Sequence, residues 1–157
     1  MSYCSYDIRR LHRLFNVRRL MNGACEMRGS CHCGAVSYEV SRLDSLGHCH
    51  CITCRKTHSA AFATTGRVAR EHFRWLTGED KLTAYESSPG KQRFFCSICG
   101  CHLVASRSES PYVILRAASL DEDPGLRPQR RIWRSHDAVW LFEDRAIPSY
   151  SEFPPES

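Results

Sequence analysis

Seven cysteines fall into three tight groups: Cys31-His32-Cys33, Cys49-His50-Cys51-Ile52-Thr53-Cys54 and Cys96-Ser97-Ile98-Cys99. Thiols this close along a chain can turn their sulfurs toward one soft cation at about 2.3 Å, whereas disulfides stabilise most when they close long loops. No apolar stretch of about 7–15 residues near the start marks a secretory signal. A reducing, cytoplasmic setting and metal thiolates are therefore expected. Thiolate donors select zinc or iron–sulfur over hard cations, and these spacings differ from the ferredoxin patterns, so zinc is the expected metal.

Seven ligands do not divide into two closed sites of four. They divide into one four-thiolate site, closed and structural, and one three-thiolate site whose fourth position is open to water or substrate. Spacing leaves open which later cluster Cys31 and Cys33 join. A closed site of Cys31, Cys33, Cys96 and Cys99 would clamp the two ends of the central region and leave Cys49, Cys51 and Cys54 as the open trio. Gly34 and Gly100 each follow a knuckle, where a left-handed backbone lets amides point at sulfur. Cys4 and Cys25 lie outside this scheme, and Cys101 is expected to be a small buried side chain. His32, His48, His50, His58 and His102 flank the clusters and are expected to support or face solvent rather than ligate.

The elements that must position these cysteines read as short strands. Val36, Tyr38 and Val40 alternate with Ser37, Glu39 and Ser41, one face buried and one wet. Residues 61–65, 73–76, 82–85, 92–95, 112–117, 131–134 and 139–142 read similarly, punctuated by Thr77-Gly78-Glu79-Asp80, Ser88-Pro89-Gly90 and Asp123-Pro124-Gly125. No long helix is expected after residue 27. The fold class is mainly β, stapled by metal.

Of the formal charge of +5, residues 1–26 carry +3 through Arg9, Arg10, Arg13, Arg18 and Arg19 against Asp7 and Glu26. That stretch is read as a basic, disordered extension, with residues 27–157 as the domain. The rest is nearly neutral, so nucleic acid is not the expected partner. No apolar run approaches the roughly 20 residues needed to span a bilayer as a helix.

The motifs Gly29-Ser30-Cys31-His32-Cys33-Gly34-Ala35-Val36, Cys49-His50-Cys51-Ile52-Thr53-Cys54-Arg55-Lys56 and Phe95-Cys96-Ser97-Ile98-Cys99-Gly100 resemble the glutathione-dependent formaldehyde-activating enzyme family. Phe73-Arg74-Trp75-Leu76-Thr77-Gly78, Ala118-Ser119-Leu120-Asp121, Ile147-Pro148-Ser149-Tyr150 and Phe153-Pro154 extend the resemblance over roughly residues 27–154.

The resemblance implies a β-tent of stacked antiparallel sheets with two zinc ions. Cys31, Cys33, Cys96 and Cys99 match the structural ligands, and Cys49, Cys51 and Cys54 the catalytic ones. It implies a carbon–sulfur lyase, which in reverse joins glutathione or another thiol to formaldehyde. Arg55, Lys56 and Arg67 are candidates to bind the carboxylates of that thiol, with Arg55 first for its adjacency to Cys54. A non-catalytic, zinc-stabilised module binding protein or nucleic acid is the alternative; a eukaryotic relative, centromere protein V, carries the domain behind a basic region.

Overall fold

A computed structural model describes residues 26–141, 148 and 150–152. The basic stretch read as an N-terminal extension, with Cys4 and Cys25, lies outside them but for Glu26, as do most of the terminal Ile147–Tyr150 and Phe153-Pro154 motifs. The fold is mainly β, in two sheets. The first is three-stranded: β1 (Met27–Ser30) and β5 (Phe73–Thr77) flank β2 (Ser37–Val40).

The second sheet has seven strands. Chain order gives β3 (Ser45–Cys49), β4 (Ala63–Ala69), β6 (Leu82–Ser88), β7 (Lys91–Cys96), β8 (His102–Arg107), β9 (Tyr112–Arg116) and β10 (Arg131–Ile132). Across the sheet the order is β10-β3-β4-β9-β8-β7-β6, antiparallel throughout except for the parallel β10–β3 pair. One short helix, α1 (Ile52–His58), follows β3.

The core lies between the sheets. Val36, Tyr38 and Val40 enter it from the small sheet; Leu46, Val68, Leu103, Val104, Val113 and Leu115 meet them from the large one. Tyr38 is fully buried, stacked on Phe73 at 5.5 Å and edge-on to Trp75 at 6.1 Å, arrangements that aromatic rings favour. Its phenol cannot be left unpaired there and meets Ser119 Oγ at 2.8 Å. The ring crosses directly over Gly29, where a Cβ would come within 2.1 Å of Tyr38 Cζ.

Three expectations need correction. The alternation places Glu39 on the wet face, but it is only 7% exposed; the Arg74 guanidinium at 2.6 Å makes its burial tolerable. The strand expected over 131–134 ends at Ile132, because Trp133 takes a left-handed backbone (φ 63°) and residues 134–136 form a 3-10 turn. Val139 to Leu141, expected to begin a strand, turns back on itself, with Leu141 N–H donating to the Ala138 carbonyl. The strands β1, β3 and β8 carry cysteines, glycine or histidine among their residues, and their alternation is too broken to read.

Candidate metal and active site

The two hairpin-like ends that carry cysteines meet between the sheets. Cys31 and Cys33 follow β1, and Cys96 and Cys99 close β7, so their cluster joins the small sheet to the large one. All four sulfurs lie within 4.8 Å of one another. Cys31 Sγ is 3.5 Å from Cys33 Sγ, which is 3.9 Å from Cys96 Sγ. A tetrahedral zinc with bonds of about 2.3 Å needs ligand sulfurs about 3.8 Å apart, so the quartet fits such an ion. Gly34 and Gly100 sit at φ 76° and 72°, each with its N–H on the carbonyl of the cysteine that opens the turn, Cys31 and Cys96. A Cβ at either would meet nothing within 4 Å, so the requirement there is backbone conformation rather than space.

The trio forms on the other side of the large sheet. Cys49 ends β3, Cys51 caps α1 and accepts the Cys54 N–H at 3.3 Å, and Cys54 is the buried residue of that helix. Their three sulfurs also lie within 4.8 Å of one another, a spacing that fits one soft cation with a fourth position left over. All eight described cysteines are free thiols. Cys101 packs at the edge of the core and is not one of either sulfur cluster.

Register explains what surrounds the trio. Cross-strand neighbours share a face, so Val68, Val113, Leu115 and Val104 pointing into the core leave the alternate residues on the opposite face. There Thr65 pairs with Arg116, Arg67 with Ile114, and Ala105 with both Ile114 and Arg93. This face forms the floor of a cavity of about 590 Å³, with the trio, Trp133 and His136 in its wall. Six cations line it: Arg67, Lys91, Arg93, Arg107, Arg116 and Arg130. Among the described residues no Asp or Glu does.

Two of these cations are nearly sealed in. Arg93 is 2% and Arg116 4% exposed, and Nε with one terminal nitrogen of each guanidinium has no hydrogen-bond partner. Arg93 directs its other terminal nitrogen at Cys54 Sγ, 3.9 Å away. Burial brings Arg116 down to about 10, with the charge of Arg93 adding to it and the trio's sulfurs opposing. Cys54 is brought down to about 5, first by contact with the Cys49 thiol, against its burial, with help from Cys51, Arg116 and Arg93. Burial first, then Arg93, also lowers Lys91.

The other sequence candidates fall in different places. Arg55 lies on α1 with its guanidinium on the His136 carbonyl and does not line the cavity, and Lys56 is exposed. Arg67 does line it, held over the Tyr112 ring at 3.8 Å. His50 is buried with Nδ1 2.6 Å from Asp137 Oδ1, and His58 packs edge-on to His102. None of the five flanking histidines belongs to either sulfur cluster. Arg93 and Arg116 were missed by sequence reasoning. For Arg116 the signal present was a charge ending an otherwise apolar strand, Val113-Ile114-Leu115-Arg116; Arg93 follows Lys91 and Gln92 and carried no such signal.

A two-sheet β fold holds a sulfur quartet at its seam and a sulfur trio beside a cationic cavity, two clusters that could each hold a metal ion. The model of the glutathione-dependent formaldehyde-activating enzyme family matches residues 26–136, and the chain belongs to that family. A Halomonas elongata protein named "Putative glutathione-dependent formaldehyde-activating enzyme" is 28% identical over 114 residues, 68% of this chain and 72% of that protein. A crystal structure of a Rhodobacter sphaeroides protein, 27% identical, matches with a TM-score of 0.54 over 67% of this chain and 99% of that one. Among the described residues no helix is long and apolar enough to cross a membrane.

Proposed function

We propose that the chain holds two zinc ions and joins glutathione or another thiol to formaldehyde, acting as a carbon–sulfur lyase in the reverse sense. The observation that carries this reading is the trio of Cys49, Cys51 and Cys54, whose sulfurs sit together in the wall of a cavity large enough for a small organic ligand. Zinc bound by three thiolates supplies a Lewis-acid position that favours the thiolate form of an incoming thiol near neutral pH.

The chain's own residues do the rest. The incoming sulfur's electron pair forms the C–S bond to the carbonyl carbon, the C=O π pair moves to oxygen, and that oxygen takes a proton from solvent. Negative charge passes from sulfur to oxygen during this step. Arg93 and Arg116 line the cavity beside the trio and bring positive charge to the place where that negative charge develops. The quartet of Cys31, Cys33, Cys96 and Cys99 has the structural role of tying the sheets. Free thiols at both sites need a reducing compartment, which is the reason to place the protein in the cytoplasm.

Metal analysis and a formaldehyde assay on one preparation test the reading. Two zincs per chain are expected, one per chain in Cys54→Ala, with thiol-dependent loss of free formaldehyde in the parent and none in the folded variant. Undiminished formaldehyde loss in Cys54→Ala, or none in the zinc-loaded parent with any small thiol, would overturn it.

A further inference from the structure

We infer that the cavity takes a thiol whose non-reacting end carries two or more negative charges and no ammonium group, a phosphate- or multicarboxylate-bearing thiol in preference to a zwitterionic one. The inference rests on the thiol-addition reading of the trio and concerns which thiol is admitted.

The lining makes the case by its sign and by its lack of compensation. Six cations face one cavity, and among the described residues none of them is ion-paired to a carboxylate. Apart from Arg93, which faces Cys54 Sγ, the partners they do have are neutral. Arg107 donates to the Pro89 carbonyl at 2.6 Å, Arg130 to Ser45 Oγ at 3.3 Å, and Arg67 rests on the Tyr112 ring. Such contacts fix the positions of the guanidinium groups and leave their charge unspent.

Three thiolates around a dication amount to about −1, which offsets only one of the six. The buried pair makes the demand sharper. Arg93 and Arg116 each keep two nitrogens without a partner, and a sealed cation in that condition gains more from an anion than from any neutral group.

The cations are also spaced for a ligand with charge at both ends. Lys91 lies two residues from Arg93 along β7, about 6.8 Å, with Arg107 opposite it on β8. Arg93 and Arg116 stand at the reacting end beside the trio, and Lys91 and Arg107 stand one pleat away, where a tail would reach. A ligand ammonium brought into this cavity would lose its water among like charges and find no carboxylate. Repulsion of that kind acts with attraction in setting which ligand is admitted.

The test uses the full-length, zinc-loaded protein and calorimetric titration with three thiols: glutathione, N-acetylglutathione, which differs by loss of the ammonium charge, and coenzyme A, which carries phosphates. N-acetylglutathione and coenzyme A are each expected to bind at least about tenfold more tightly than glutathione, with the advantage shrinking as salt is raised. The tighter of the two assigns the preferred anion as carboxylate or phosphate.

Lys91→Met combined with Arg107→Gln, both away from the trio, is expected to erase most of the advantage while the protein stays folded and zinc-loaded. Glutathione binding as tightly as both other thiols, or a preference unchanged in the double variant, would overturn the inference. Formaldehyde consumption in the same samples separates the two readings. A binding preference with no turnover by any thiol removes the enzyme reading alone, and turnover without the preference removes this one alone.

Discussion

Replacing Arg116 by methionine should make the protein more stable and its cavity less able to hold an anion. The guanidinium is 4% exposed, and burial brings it from the ordinary arginine range above 12 to about 10. At about 1.4 kcal/mol per pH unit, that amounts to about 3 kcal/mol of strain on the charged form. Its two unpartnered nitrogens, at about 1–3 kcal/mol each, point to the same size of penalty. Methionine fills a comparable volume without the charge.

With zinc in place the trio still faces the Arg93 charge, so removing one of two cations brings the local charge from about +1 to about zero rather than orphaning an anion. A gain of about 2–3 kcal/mol corresponds to a rise in Tm of roughly 5–10 °C in a chain of this size. The sign with pH follows from the direction of the shift. The penalty is present below the folded pKa of about 10 and relaxes above it, so parent and variant should converge as pH rises past 10. Urea unfolding of the zinc-loaded proteins at pH 7 and pH 10.5, with anion binding measured alongside, is the assay. A variant less stable than the parent at pH 7 would mean that Arg116 is already neutralised in the resting protein.

Gly29→Ala should destabilise by roughly 3 kcal/mol or more, since its Cβ would lie 2.1 Å from the Tyr38 ring and 2.6 Å from the Ser119 carbonyl oxygen; urea midpoints read this directly. Cys96→Ser should lose one zinc and lower Tm sharply while formaldehyde chemistry at the trio falls only as far as the folded fraction does, as metal content and activity per folded molecule would reveal. His58 is lowered to about 3, by burial first and then by Arg116, so it is neutral in the fold while the unfolded chain takes up a proton near 6.5. Stability should therefore decline as pH falls from about 6.5 toward 3, and His58→Gln should remove up to one proton from that slope, as unfolding measured across the range would show.

The two sulfur clusters were legible because the cysteines within each group are neighbours along the chain. Cys49, Cys51 and Cys54 span one strand end and one helical turn, and the short knuckles at Cys31–Cys33 and Cys96–Cys99 impose their own geometry through Gly34 and Gly100. Strands with clean alternation, such as those around Tyr38 and Phe73, were legible for the same local reason. Of the strand expected at 139–142, residues 139–141 form none, and Phe142 lies outside the described residues. Val139 is 88% exposed, and among the described residues no strand pairs with residues 139–141, so the apolar run there does not mark a buried strand.

The amino-acid sequence by itself determined that candidate ligands for a soft metal come in short-range clusters and that the chain between them is mostly short strands, because both depend on spacings of a few residues. Which charges face the trio was decided only by tertiary structure. Arg67, Arg93 and Arg116 lie far apart along the chain and reach one cavity through the registers of β4, β7, β8 and β9. A shift of one residue in any of these pairings would turn the cation into the core or away from the sulfur. That pairing is a property of the folded sheet and of the burial that holds it.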